Sequence, residues 1–271
     1  MMMLASIAGS RYWLKTIHKK IRIQNLPNGL EGFTVLHISD FHAHNKLHMS
    51  VWKKLKMLDF DICTITGDII TSSADELKPH LDHICKLAAR KPVFFVSGNH
   101  EARSSCREVH MMLKKCGVTV LKNETAEFDF DGTMLRIIGL CDYKCIQKQK
   151  INIKPLFDSN FSLVLSHQPQ VFDMIKTFDG NSLTLSGHTH AGQVRFPFMP
   201  VLLAPGQGLF PKYGYGGYSE GKTHAMWISK GIGTTHFPVR FYNRPEIAVI
   251  TLANASVCSS DEKANCINLQ K

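Results

Sequence analysis

The chain has 271 residues, 44% of them apolar, and carries a formal charge of +10 from 32 basic and 22 acidic side chains. That length and apolar content can bury one large core, and the regular spacing of apolar runs favours one domain over two. No run reaches 18 apolar residues, so no bilayer-spanning helix is expected, and the basic surplus favours anionic partners such as a lipid surface, nucleotides or nucleic acid.

Residues 1–9 are too short for a signal-peptide core of normal layout and have no basic region before them. Three methionines at positions 1–3 leave the start open, with a membrane anchor upstream as one reading and the basic flank then keeping the domain cytoplasmic. Trp13, Leu14, Ile17 and Ile21 fall on one helical face, surrounded by Arg11, Lys15, His18, Lys19, Lys20 and Arg22. Residues 1–23 are therefore expected to form a basic amphipathic arm lying in a membrane interface, where each basic side chain adds about 1 kcal/mol of attraction to anionic lipid. Two other readings are a frayed helix packed on the domain and an edge strand from residue 20 that includes Ile21 and Ile23.

Apolar runs at 33–38, 62–66, 93–96, 118–121, 134–140, 161–165, 183–185, 225–228 and 247–252 predict strands. Between the early ones, Val51, Leu55 and Leu58 repeat at helical spacing, as do Leu77, Leu81, Ile84 and Ala88. Alternating strand and helix in the first half implies parallel pairing by crossover, and the helix-poor second half suggests added antiparallel strands. Two facing sheets flanked by helices fit this order. The domain is expected over 24–253, followed by a polar tail at 254–271.

Five polar clusters close these apolar runs: Asp40-Phe41-His42, Gly67-Asp68, Gly98-Asn99-His100-Glu101, Ser166-His167 and Gly187-His188-Thr189-His190. A lone Gly-Asp or His-Thr-His is common and carries little, but five in order at strand ends can be brought to one sheet edge. Asp40, His42, Asp68, Asn99, His167, His188 and His190 offer seven ligands, and a bridging Asp68 carboxylate gives each of two divalent ions four. Such ions sit roughly 3.5–4 Å apart in two-metal sites. Mixed imidazole and carboxylate donors suit Mn, Fe or Zn better than Ca or Mg. His48, His80, His83 and His110 read as satisfied surface or core histidines.

These motifs resemble the calcineurin-like metallophosphoesterases, whose pattern runs Asp-x-His, Gly-Asp, Gly-Asn-His-Asp/Glu, His, Gly-His-x-His. The resemblance implies a four-layer α/β/β/α sandwich of two mixed sheets flanked by helices. It assigns Asp40, His42, Asp68 and His190 to one ion, Asp68, Asn99, His167 and His188 to the other, with Mn favoured. His100 becomes a catalytic imidazole facing the phosphoryl group, there to stabilise charge or protonate the leaving oxygen. Pro211-Lys212-Tyr213, Ser229-Lys230-Gly231-Ile232-Gly233-Thr234 and Arg240-Phe241-Tyr242-Asn243-Arg244-Pro245-Glu246 resemble the membrane-associated bacterial subgroup, and within it the chlamydial type of UDP-2,3-diacylglucosamine hydrolase. That likeness implies cleavage of a lipid-linked nucleotide pyrophosphate to UMP and a diacylglucosamine 1-phosphate in lipid A synthesis, at the inner leaflet of a bacterial inner membrane, with no nucleic-acid partner. The alternatives are a soluble phosphodiesterase acting on nucleotides and a non-catalytic scaffold. Glu101, where Asp is commoner, and Cys141-Asp142, where relatives often carry two acids, depart from the pattern without touching a ligand.

Residues 193–224 are dense in aromatic and aliphatic side chains broken by Pro197, Pro200, Pro205 and Pro211, which exclude a regular helix or central strand. Leaving from His190, this loop is expected at the mouth of the site, either exposed to an acyl chain or folded down over the core. Arg103, Arg240 and Arg244 are candidate phosphate clamps, or partners of surface carboxylates. The eight cysteines lack paired spacing and read as free thiols of a reducing compartment, with zinc at Cys141 and Cys145 as a minor alternative.

Overall fold

Every apolar run expected as a strand forms one. In the computed structural model, which describes residues 13–43, 48–195, 199–234 and 240–255, the strands of the first half are β1 (Lys15–Ile23), β2 (Thr34–Ile38), β3 (Ile62–Thr66), β4 (Val93–Val96), β5 (Thr119–Leu121), β6 (Glu124–Phe130) and β7 (Thr133–Gly139). Those of the second half are β8 (Phe161–Leu165), β9 (Asn181–Ser186), β10 (Leu203–Ala204), β11 (Gly208–Leu209), β12 (Gly216–Glu220), β13 (His224–Ile228) and β14 (Glu246–Asn254). The α-helices are α1 (His48–Met57), α2 (Leu81–Arg90), α3 (Asn99–Arg103), α4 (Cys106–Lys115), α5 (Tyr143–Gln149) and α6 (Phe172–Ile175).

Two six-stranded mixed sheets result, in the orders β1-β14-β2-β3-β4-β5 and β12-β13-β9-β8-β7-β6. The first runs parallel from β2 through β5, with β14 antiparallel to β2. The second is parallel from β7 through β8 and β9 to β13, and antiparallel only at its β6 and β12 edges. Antiparallel pairing is thus confined to the edges in the second sheet, whereas in the first it falls between β14 and β2, one strand in from the edge.

Val35, Ile62, Phe94 and Val96 of the first sheet meet Leu135, Ile137, Leu163, Leu183 and Leu185 of the second in the central core. Leu36, Ile65 and Phe95 point the other way, onto Val51 and Leu55 of α1, Ile84 of α2 and Leu113 of α4. Ile138 and Val164 bury the outer face of the second sheet against Ile146, Val171 and Ile175. The layers are therefore α/β/β/α, as a pair of two-faced apolar sheets requires.

Two expectations need correction. The segment read as a helical arm is β1 from Lys15 onward: Ile17, Ile21 and Ile23 are buried on one face while His18 and Lys20 are exposed. Ile17 and Ile21 are four apart, a spacing that fits both helical and strand periods, and pairing with β14 decides for the strand. As an edge strand it presents lysines to solvent, which discourages further pairing. Residues 1–12 lie outside the described residues. The second correction concerns the thiols. Cys85 of α2 and Cys116, at the end of α4, form a disulfide, whereas Cys63, Cys106, Cys141 and Cys145 are free. Cys258, Cys266 and the tail from 256 fall outside the described residues. Among the described residues no helix is long and apolar enough to cross a membrane.

Candidate metal centre

Each polar cluster leaves the carboxyl end of a parallel strand. Asp40 and His42 follow β2, Asp68 follows β3, Asn99 and His100 follow β4, His167 follows β8, and His188 and His190 follow β9. Both sheets present that end to the same side, so all seven candidate ligands converge, and all seven are 7% exposed or less. Asp40, His42, Asp68, His188 and His190 all have positive φ, a left-handed backbone that costs energy and marks loops held for a purpose. Gly67 shares that conformation at φ 77°, and a β-carbon on it would collide with the backbone of Gly98. Gly187 is equally committed: a β-carbon there would occupy the place of Ser39 Oγ and Asp40 Oδ2.

The loops are laced together before any side chain acts. Asp40 N donates to Gly67 O (3.1 Å), His42 N to Asp68 O (3.0 Å) and Ala43 N to Ile69 O (2.9 Å). Across the seam between sheets, His190 Nε2 lies 3.2 Å from Asp40 Oδ1 and His167 Nε2 lies 3.0 Å from Asp68 Oδ2. Asp40 also accepts from Ser39 Oγ (2.6 Å) and from His188 N (3.1 Å). Three groups able to hold an ion emerge: Asp40, His42 and His190; His42, Asp68 and His100; and Asp68, His167 and His188. Asp68 falls in the last two groups and His42 in the first two, while the group of Asp40 and His190 does not include Asp68.

Imidazole orientation is set by what stands behind each ring. Thr66 O accepts from His167 Nδ1 (2.8 Å), which leaves Nε2 as the donor atom facing Asp68. Thr71 O likewise accepts from His100 Nδ1 (2.6 Å), turning Nε2 toward Asp68 Oδ2 at 3.9 Å. His42 Nδ1 is 3.1 Å from Thr71 Oγ1, and His188 Nδ1 is 3.2 Å from His167 Nε2, which leaves His188 Nε2 buried with no partner. Asn99 Oδ1 is buried and unpartnered too. An orphaned imidazole nitrogen and an orphaned amide oxygen, next to two carboxylates, are costly unless a cation completes them. The residues present therefore fit divalent metal ions.

Electrostatics point the same way. Burial pushes the Asp40 carboxyl up, but His190 and then His167 and His42 hold it well below its usual range. Asp68 behaves alike, burial opposed and outweighed by His167. Burial lowers His42 and His188 to about 3, so both rings are neutral and ready to donate electron pairs. His167 is raised to about 10: burial opposes the proton, and the Asp68 charge overrides it.

Several residues that matter here carried no sequence signal for their role. Glu101, fully buried, accepts from the backbone N–H groups of Gly98 (2.7 Å), Asp68 (2.8 Å) and Ile70 (3.1 Å), clamping the β3 loop to the β4 loop. Burial and the Asp68 charge raise it to about 7 against those same hydrogen bonds. Asn243 Nδ2 donates to His190 O (2.6 Å). Arg240 is wholly buried and spends its donors on the carbonyls of Lys230 (2.9 Å), Gly231 (3.2 Å) and Gly233, with its Nη2 3.4 Å from His190 Nδ1. It supports the loop behind His190 and is not free to clamp a phosphate. Arg244 is also engaged elsewhere, donating to Trp13 O (2.9 Å) and covering the Trp13 ring. Arg103, at the end of α3, is exposed, as Arg244 is. Of the other histidines, His80 bonds Ala43 O (3.1 Å), His83 stacks on Trp52, and His110 bonds Ser97 (2.7 Å), all away from the candidate ligands. The side chain of His48 lies outside the described residues.

The 193–224 segment partly follows each of its two readings. Val201, Ala204, Tyr213 and Tyr218 are buried, but Leu203, Leu209 and Phe210 are 56%, 71% and 72% exposed on the β10–β11 hairpin. At its turn, a β-carbon on Gly206 would lie 3.6 Å from His188 Nε2, so the hairpin does border the site. Phe196, Pro197 and Phe198 are outside the described residues.

Acid and imidazole ligands gathered where parallel strands of two facing sheets end define a metal-dependent phosphoester hydrolase. A profile of the calcineurin-like phosphoesterases matches residues 33–192, and the chain belongs to that family. It is 30% identical over 256 residues to the uncharacterized metallophosphoesterase YkuE of Bacillus subtilis, covering 90% of this chain and 87% of the relative. It is 28% identical over 227 residues to the uncharacterized protein YpbG of the same organism, covering 83% and 82%. A metallophosphoesterase of Helicobacter pylori, also uncharacterized, is 27% identical over 228 residues, 80% of this chain and 59% of its own.

Proposed function

We propose that this phosphohydrolase uses two divalent ions, held by Asp40, His42, Asp68 and His190 on one side and Asp68, Asn99, His167 and His188 on the other. The observation that carries this reading is the pair of buried, unpartnered donor atoms, Asn99 Oδ1 and His188 Nε2, the latter grouped with Asp68 and His167. When bound, such ions neutralise phosphoryl oxygens and lower the pKa of a water. The protein's own groups do the rest. Thr66 and Thr71 carbonyls fix the tautomers of His167 and His100, and Glu101 fixes the distance between the loops that carry Asp68 and Asn99. With Nδ1–H held on Thr71 O, His100 presents Nε2 to the seam, where in the imidazolium form it hydrogen-bonds a phosphoryl oxygen and gives that proton to the leaving oxygen. Manganese is the ion we favour.

The substrate we favour carries a lipid. Support comes from the exposed Leu203, Leu209 and Phe210 beside His188, from the +10 charge, and from the sequence likeness to UDP-2,3-diacylglucosamine hydrolases. On this reading the enzyme works against the inner leaflet of a membrane, with the apolar hairpin toward acyl chains. A soluble phosphodiesterase acting on nucleotides is favoured by a different observation. Asp142 Oδ2, Gln168 Oε1 and Gln170 Oε1 are buried acceptors without donors, suited to sugar hydroxyls. Leu140 N bonds Leu165 O, so the segment that carries Asp142 leaves the sheet at the end of β8, as Gln168 does. Incubation of the protein and Mn with UDP-2,3-diacylglucosamine in mixed micelles, followed by phosphorus NMR in labelled water, separates the two. Labelled UMP supports the lipid substrate. Turnover of a lipid-free diester alone reverses the ranking.

A further inference from the structure

Behind the metal-facing loop lies a second cluster of reactive side chains that the phosphohydrolase reaction does not use. Cys106 opens α4 and His110 follows one helical turn later, so the two side chains share a face. Cys106 Sγ is 3.4 Å from His110 Nε2, and Ser97 Oγ is 2.7 Å from that nitrogen and 3.6 Å from the sulfur. Burial, then Lys114 and Lys122, lower the proton affinity of His110 against the opposing charge of Glu124, so the ring is a neutral base. An imidazole nitrogen within hydrogen-bond reach of a thiol is placed to take its proton as the sulfur attacks. Exposure separates this thiol from its neighbours. Cys63 and Cys141 are buried, Cys85 and Cys116 are joined, and among the described residues only Cys106 and Cys145 are both free and partly accessible.

We propose that Cys106, activated by His110, is a reactive thiol captured by low-molecular-weight disulfides, and that its capture slows phosphohydrolysis. The Cys106 proton passes to His110 Nε2, and the thiolate attacks one sulfur of the incoming disulfide. A new S–S bond joins Cys106 to one half, the old S–S bond breaks, and the other half departs as a thiolate that takes up a proton. No further oxidant is consumed. The link to the metal centre is short: Ser97, which touches both members of the pair, is followed directly by Gly98 and the candidate ligand Asn99. An adduct on Cys106 displaces Ser97 and, with it, the loop that Glu101 holds against Asp68.

The test is to incubate the full chain, loaded with Mn, with oxidised glutathione at pH 7 and to map adducts by peptide mass spectrometry. Turnover of bis(p-nitrophenyl) phosphate is followed in the same samples. Cys106 should be captured about tenfold faster than Cys145, and His110→Gln should slow capture by about tenfold. Turnover should fall in step with the Cys106 adduct in the wild type and persist in Cys106→Ser. Capture of Cys106 no faster than Cys145 overturns the proposal. Because that comparison is internal to the wild-type protein, it decides even where His110→Gln fails to fold. A complete adduct with undiminished turnover overturns the regulatory half and leaves the modification site standing.

Discussion

The two sheet edges that meet at the metal centre are unlike. The first sheet delivers both carboxylates, the amide of Asn99, and His42 and His100, whereas the second delivers imidazoles only, His167, His188 and His190. Each acid finds its nearest imidazole on the opposite sheet, Asp40 with His190 and Asp68 with His167. In the proposed assignment neither edge alone completes a four-ligand centre. The site is a seam, and its dimensions are set by the apolar side chains packed between the sheets rather than by the ligands themselves.

Damage on the acid edge should be the more severe. Asp68→Asn removes the charge shared between the two centres, and bound metal should fall from two ions to one or fewer by elemental analysis, with turnover down more than about a thousandfold. His100→Ala should keep both ions and lose about a hundredfold to ten-thousandfold in turnover; full activity at normal metal content would sink its assigned role. Glu101→Gln, which keeps the shape and puts an amide against three backbone donors, should weaken metal binding by about 10–100-fold in calorimetry while the circular dichroism spectrum is unchanged. Leu163→Ala, in the core between the edges, should cost about 2–5 kcal/mol in urea denaturation.

The smallest effect reads the seam through pH. His167, raised to about 10 in the folded protein against an ordinary 6.5, lends stability that is complete below pH 6.5 and is lost as pH rises through 10. The metal-free protein should therefore melt at progressively lower temperature between pH 7 and 10. With metal in place of that proton the same scan should be flatter. Equal slopes with and without metal would remove His167 from the ligand set.

The acid and imidazole clusters were legible because each is short, polar and placed where an apolar run stops, so strand ends and chemistry could be read together. What surrounds them was not. Glu101 looked like a minor departure from a motif, since three backbone N–H groups leave no trace in a sequence. Arg240 looked like a phosphate clamp because an arginine near ligands says nothing of the carbonyls that wait for it. Cys85 and Cys116 are 31 residues apart on two helices and become neighbours only when both pack on the first sheet. The arm was misread for a different reason: Ile17 and Ile21 satisfy two periodicities at once, and the deciding partner, β14, lies at the far end of the domain.

That partner has a bearing on how the protein comes to be built. β14 sits between β1 and β2, pairing Lys15 with Glu246 on one side and His37 with Ala248 on the other. During synthesis β2, whose end carries Asp40 and His42, keeps one flank unpaired until residues 246–254 have left the ribosome, and β1 has no sheet to join. Pairings of such long range form slowly and leave strand edges open meanwhile. The candidate metal centre is therefore among the last parts of the molecule to acquire its geometry, and a nascent chain stalled between residues 190 and 246 would hold every candidate ligand and no finished site.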